Sequence, residues 1–161
     1  MKQYLLIFPI EPIHKATTYP AWARLPLHCT LMTWFQFPGP QFTIPDIAML
    51  KSNLVIDGKI EFASLGKAMF GPKGDTEAYV LRPNQALERL HTRVLIALAR
   101  NRCEISEMKY VGAGYRPHVT STANASFKTG SHFTPNQIVL IERNTLGDMC
   151  EVVRFNFRYD K

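Results

Sequence analysis

The sequence lacks any apolar run close to the roughly 20 residues that a membrane-spanning helix requires. It also lacks low-complexity tracts and any recognisable linker, so disordered and collagen-like classes are excluded. Cysteine is scarce: only Cys29, Cys103 and Cys150 are present, an odd number at spacings that match no zinc pattern. Buried free thiols in a reducing compartment are the expectation. There is no nucleophile elbow, no phosphate loop and no metal-ligand cluster. Gly112-Ala113-Gly114 is not a dinucleotide fingerprint, because no helix follows it closely. A leader peptide is also disfavoured. Met1-Lys2-Gln3 precedes the apolar run Tyr4 to Ile10, and Ala21-Trp22-Ala23 mimics a cleavage site, but Glu11, His14 and Lys15 break the stretch that must stay apolar. A cytoplasmic protein is expected.

What the chain does contain is a foldable core. Its 161 residues are 46% hydrophobic and 20% charged, which fits a single domain over 1–161, either one compact unit or two small lobes sharing a core. Acidic residues are in deficit. Thirteen Asp and Glu face 19 Lys and Arg, a net charge of +6. Such a surface favours anionic partners such as nucleotides or RNA and disfavours cationic ones.

Periodicity divides the chain into strands and helices. Residues 3–9 form a buried strand ended by Pro9 and Pro12. Pro12, Pro20 and Pro26 exclude a long helix over 10–26. Leu27 to Phe37 is a strand, closed by Pro38-Gly39-Pro40. Pro45 to Leu54 is a short helix with Thr43 as its cap. Lys59 to Phe70 and Glu77 to Arg82 form a hairpin around Gly71-Pro72-Lys73-Gly74-Asp75. A helix runs from Pro83 to Asn101, with Leu87, Leu90, Val94 and Leu98 on one face. Further strands are expected from His118 to Ala123, Gln137 to Glu142 and Glu151 to Tyr159. The mixture lacks the regular alternation of a doubly wound fold.

One element recurs. Leu27-His28-Cys29-Thr30-Leu31 is echoed by Pro117-His118-Val119-Thr120-Ser121, each on a predicted strand and in opposite halves of the chain. Side chains alternate across a strand with period two. His28 and Thr30 therefore share a face, as do His118, Thr120 and Thr122, while Leu27, Cys29, Leu31 and Val119 point the other way. Each apolar face can pack on helices while each His/Thr pair points into a cleft. The residue types suit phosphodiester cleavage. Two imidazoles titrating near neutrality can act as base and acid, and a Thr hydroxyl two residues along can donate to a phosphate oxygen.

At these residues the sequence resembles the 2H phosphoesterase superfamily, which is named for two His-x-Thr/Ser motifs. The superfamily includes 2'-5' RNA ligase-like proteins and 2',3'-cyclic phosphodiesterases. Tyr115-Arg116-Pro117-His118-Val119-Thr120 is similar to the aromatic-x-Pro-His-hydrophobic-Thr form common in those members. The resemblance implies a bilobal α+β fold, with two pseudo-symmetric lobes, antiparallel sheets lining a central cleft and helices outside. It implies chemistry without metal or cofactor on 2',3'-cyclic phosphates or 2'-5' phosphodiesters, so that the partners are RNA ends or nucleotide cyclic phosphates. His28 and His118 would be the catalytic pair, and Thr30 and Thr120 the phosphate ligands. The chain departs from the pattern twice. Residues 10–26 are short and proline-rich where the family places a helix, which points to a reduced lobe. Ser121 stands where a hydrophobic residue is usual, and by alternation it is expected to face away from the cleft.

Other residues enter by position. Tyr115 and Trp34 flank the motifs and are candidates for stacking on a base, with Phe127 a weaker one. Arg116 is a candidate phosphate partner. In the last strand Val153, Phe155, Phe157 and Tyr159 form a core face, opposite Arg154, Asn156 and Arg158. His91, beside Leu87 and Leu90, is read as a rim or core residue, and His14 and His132 as loop residues. Hydrolysis, RNA end-joining and phosphate binding without turnover all use the same residues, and the sequence leaves them open.

Overall fold

Apolar residues recur at every second position where strands are expected and at every third or fourth where helices are. The computed structural model, which describes residues 1–71, 73–122 and 125–159, follows that pattern. Its elements run β1 (Gln3–Pro9), β2 (Thr18–Tyr19), β3 (His28–Gln36), α1 (Ile44–Asn53), β4 (Phe62–Phe70), β5 (Thr76–Leu81), α2 (Gln85–Arg100), β6 (Glu104–Ile105), β7 (His118–Thr120), β8 (His132–Phe133), β9 (Gln137–Arg143) and β10 (Met149–Asn156). The strands join in one curled antiparallel sheet in the order β2-β10-β9-β1-β3-β7-β5-β4-β8, with β6 pairing β3. The fold is α+β with two lobes. One is built on β1 and β3, the other on β5 and β4, and they meet where β3 pairs β7.

Both helices belong to one face of the sheet. Tyr4, Leu6 and Phe8 of β1, Cys29 and Leu31 of β3, and Val119 of β7 share a core with Leu87, Leu90, Val94 and Leu98 of α2 and Leu50 of α1. A smaller cluster covers the opposite face of the first lobe, where Leu5, Ile7, Val139, Ile141 and Met149 pack with Ile13 and Leu25. β1 is therefore buried on both faces, which is why Tyr4 to Phe8 is a continuous apolar run rather than an alternating one. The helix starts follow local chemistry. The Asn84 Oδ1 accepts the Leu87 amide at 2.9 Å, and the Thr43 amide donates to the Asp46 carboxylate at 2.7 Å.

Some expectations are corrected. β7 stops at Thr120 because Thr122 turns the chain, its amide donating to the Ala125 carbonyl at 2.8 Å; Ala123 lies outside the described residues. β10 begins at Met149 and ends at Asn156, with an irregularity between Glu151 and Val153. Phe157 and Tyr159 still pack on the core beyond it, the Tyr159 hydroxyl donating to the Pro135 carbonyl at 2.8 Å. The expected turn at Gly71–Asp75 is closed by the Gly74 amide on the Gly71 carbonyl at 3.1 Å, with Pro72 outside the described residues. Cys29 is a buried free thiol, but Cys103 and Cys150 are only half-buried. Residues 10–26 contain only β2 as regular structure. No helix among the described residues is long and apolar enough to cross a membrane.

Two positions on α2 test this packing. Leu90 is 1% exposed and Ile96 is 45% exposed. Leu90→Ala is expected to lower unfolding free energy by about 2–5 kcal/mol, and Ile96→Ala by less than about 0.5 kcal/mol. Urea denaturation followed by circular dichroism measures both.

Candidate functional site

The site is set by one strand pairing. Cys29 lies opposite Val119 in the antiparallel β3–β7 pair. That register places His28 across from Thr120 and Thr30 across from His118, so each His stands beside the Thr of the other motif. Cys29 and Val119 are fully buried toward the helices. The four motif side chains therefore share the opposite face, and all four line a cavity of about 860 Å³.

Each motif holds its imidazole in the same way. The His28 Nδ1 lies 2.7 Å from the Pro26 carbonyl, and the His118 Nδ1 lies 2.8 Å from the Arg116 carbonyl. A carbonyl only accepts, so Nδ1 carries the proton in both rings. Nε2 is left as the free nitrogen, able to take or deliver a proton. Both pKa values fall below the ordinary histidine range. For His28 burial is the main cause, opposed by the Pro26 carbonyl and reinforced by the charge of His118. For His118 burial again dominates, opposed by the Arg116 carbonyl and reinforced by the Arg116 charge.

The surroundings of the two rings differ. His118 is stacked on Phe70, with centroids 4.0 Å apart and planes 17° apart. The Arg116 guanidinium, exposed to solvent, sits 5.4 Å from the same Phe70 ring. Phe70 ends β4 and reaches His118 because β5 pairs with both β4 and β7. Sequence reasoning missed this aromatic wall, since no local pattern reports which strand a hairpin will join.

Tyr115 lines the cavity but is also committed elsewhere. Its ring stacks on His91 at 3.8 Å and 1°, and its hydroxyl donates to the Thr30 carbonyl at 3.0 Å. His91 is 2% exposed and fully engaged. Its Nδ1 donates to the Leu31 carbonyl at 2.8 Å, and its Nε2 accepts the Gly112 amide at 3.0 Å. The pair braces the first motif against the approach to the second. Burial holds the His91 pKa below its ordinary value.

The remaining candidates separate by place. Trp34 lines the cavity, with the Arg143 guanidinium 4.1 Å from its ring centroid. Phe127 is buried in the main core and is not among the cavity-lining residues. Ser121 lines the cavity, contrary to the alternation argument, because β7 ends one residue before it. Arg24, Lys109 and Glu107 line it too, without any sequence motif to mark them. Arg154 instead pairs with Glu151 on β10, and His132 pairs with Glu61 at 3.1 Å on the second lobe. Among the described residues, no group of three or more His, Cys, Asp or Glu is arranged to hold a metal ion.

The same overall fold is found in solved structures. A phosphoesterase superposes with a TM-score of 0.62 over 99% of this chain and 100% of its own, at 12% identity. LigT of E. coli complexed with 3'-AMP gives 0.60 over 98% and 99%, at 14% identity. The E. coli LigT complex with NADP+ gives 0.60 over 98% of each chain, at 11% identity. The chain has the LigT fold. Similarity at this level of identity is a statement about architecture, and it extends over nearly the whole length of both chains. No protein-family model matches the sequence, and no curated protein matches it.

The three imidazoles with lowered pKa values make stability depend on pH. A histidine whose folded pKa lies below its unfolded value favours the folded state fully above the unfolded pKa, near 6.5. That contribution is lost as pH falls through the folded pKa. The melting temperature is therefore expected to fall as pH is lowered below about 6.5, and the His91→Gln variant to show a shallower fall. Thermal melts in matched ionic strength between pH 7.5 and 5 measure this; parallel curves would remove His91 from the account.

Proposed function

We propose that the chain is a phosphoesterase of the 2H type, hydrolysing 2',3'-cyclic phosphate or 2'-5' phosphodiester bonds of nucleotides or RNA. The observation that carries this is the register of the seam, which sets two Nδ1-tethered imidazoles and two threonines around one cavity. The similarity to a phosphoesterase and to a LigT crystallised with nucleotides supports the class of substrate. So does the basic balance of the chain.

The chemistry needs only these groups. The neutral Nε2 of one histidine takes a proton from water as the water oxygen bonds to phosphorus. The protonated Nε2 of the other gives its proton to the departing ribose oxygen as the P–O bond breaks. Thr30 and Thr120 donate their hydroxyls to the non-bridging oxygens, where negative charge accumulates. The sum is one water consumed and one phosphomonoester formed, with the two histidines exchanging protonation states. End-joining would use the same side chains, with an RNA hydroxyl in place of water bonding to the phosphorus of a cyclic phosphate while a ribose oxygen leaves and is protonated.

Turnover of the four nucleoside 2',3'-cyclic monophosphates in EDTA is the test. His28→Ala and His118→Ala are each expected to lower kcat by roughly two to four orders of magnitude. A double variant that still turns over removes the mechanism. A wild type that binds RNA tightly and salt-sensitively but yields no product shows a binding module instead.

The pH profile follows from the lowered pKa values. The base must be neutral and the acid protonated, so kcat/KM rises and then falls through two values that both lie below the ordinary histidine range. Its maximum is expected on the acid side of about 6.5. A bound phosphate anion stabilises both imidazolium forms, so the kcat profile is displaced to higher pH than the kcat/KM profile. A kcat/KM maximum above about 7 would contradict the burial of the pair.

A further inference from the structure

Tryptophan is seldom left in water, because its indole is the largest apolar surface a side chain can bury. Trp22 is 87% exposed. It does not line the cavity, yet the three residues after it, Ala23, Arg24 and Leu25, all do. The indole therefore stands at the lip of the site rather than inside it.

The segment that carries Trp22 is pinned from several directions. Just before it, β2 pairs with β10 through Tyr19 and Met149. The Ala21 amide donates to the Asp148 carboxylate at 3.1 Å, and the Ala23 amide to the Pro20 carbonyl at 2.8 Å. Just after it, the Arg24 guanidinium donates to the Ser121 carbonyl at 3.1 Å, one residue beyond the second motif. The turn at 144–148 packs so closely that a Cβ on Gly147 would come within 2.8 Å of the Ala21 Cβ. That turn also presents Leu146 at 80% exposure. The structure thus pins the backbone that carries a bare indole beside the cavity, so a ligand that covers it orders a side chain and not a loop.

The chemistry of the lip selects the ligand. Arg24, Lys109 and Arg116 line the cavity against the single carboxylate of Glu107, so a polyanion is favoured. At about 860 Å³ the cavity lies in the upper part of the range for small-molecule sites, and Trp34 and Phe70 already supply aromatic walls within it for the reacting nucleotide. An indole outside those walls, beside a cationic rim, meets the next base along a strand. Base-on-indole stacking is tolerant of sequence and contributes about 1–3 kcal/mol per base.

We propose that Trp22 is a stacking subsite for the nucleotide adjacent to the reacting one, and that the substrate is a single-stranded oligonucleotide end rather than a free mononucleotide. This rests on the phosphoesterase reading of the cavity. The rate comparison is kcat/KM for a tetraribonucleotide ending in a 2',3'-cyclic phosphate, divided by that for the matching cyclic mononucleotide, in wild type, Trp22→Ala and Trp22→Phe. The ratio is expected to fall roughly tenfold in Trp22→Ala and to be largely restored in Trp22→Phe. An unchanged ratio in Trp22→Ala overturns the proposal.

Fluorescence gives a readout independent of turnover. Trp22 and Trp34 are the only tryptophans, and a solvated indole emits at long wavelength. Titration with the tetranucleotide is expected to quench that long-wavelength emission in wild type, and the effect is expected to be missing in Trp22→Ala. A titration that saturates without this quenching overturns the subsite. If the wild type turns over neither substrate, the phosphoesterase reading fails, and the quenching titration alone decides whether Trp22 stacks on a base.

Discussion

The whole site depends on the pairing between β3 and β7. β7 has only three residues, and its contact with β3 is centred on Cys29 opposite Val119. Because β3 is also held by β1, a one-residue slip of β7 would turn His118 and Thr120 toward the helices and bring Val119 to the cavity, splitting the two motifs between opposite faces. The burial of Cys29 and Val119 against Leu87, Leu90 and Val94 makes such a slip costly, because it would place an imidazole and a hydroxyl in an apolar core. The register of the site is thus enforced from the back of the sheet by a core that takes no part in the chemistry. The His91–Tyr115 pair adds a second tie, since it bonds to carbonyls of β3 on one side and to the amide of Gly112 on the other.

Much of this was legible because strand alternation is a local property. The His-x-Thr faces, the apolar run of β1 and the four-residue stripe of α2 can each be read from a window of fewer than twenty residues, and the structure has all three. What was not legible depends on distant partners. Phe70 stands against His118 only because β5 bridges β4 and β7. His91 could be placed on the core face of α2 by periodicity, but its acceptor is 60 residues back and its donor 21 residues ahead. The two-residue strands β2, β6 and β8 are too short to show an alternation. Ser121 shows the limit of alternation itself, which holds only while the strand lasts.

The two motifs are alike in backbone and unlike in surroundings. Both tether Nδ1 to a carbonyl two residues back, which fixes tautomer and ring plane without any acidic partner. Reliance on carbonyls leaves each imidazole without a fixed counter-charge, so burial holds both pKa values down and the bound anion becomes the group that restores them. His118 alone has an aromatic ring stacked on it, with a guanidinium over the same ring. The pseudo-symmetry of the strands therefore does not extend to the electrostatics of the cavity.

Cys29 gives the core behind the seam a chemical clock. Its thiol sits between His28 and Thr30 in the chain but on the reverse of the strand, fully buried, with its pKa pushed up to about 12 by burial. In the closed protein it has neither access nor thiolate character, so alkylation must wait for the helix-covered core to open. Cys103 and Cys150 are half-buried and lie away from the β3–β7 pair. The slowest of the three labelling rates consequently reports the free energy of opening the core behind the sheet, the same core that holds the paired motifs in register.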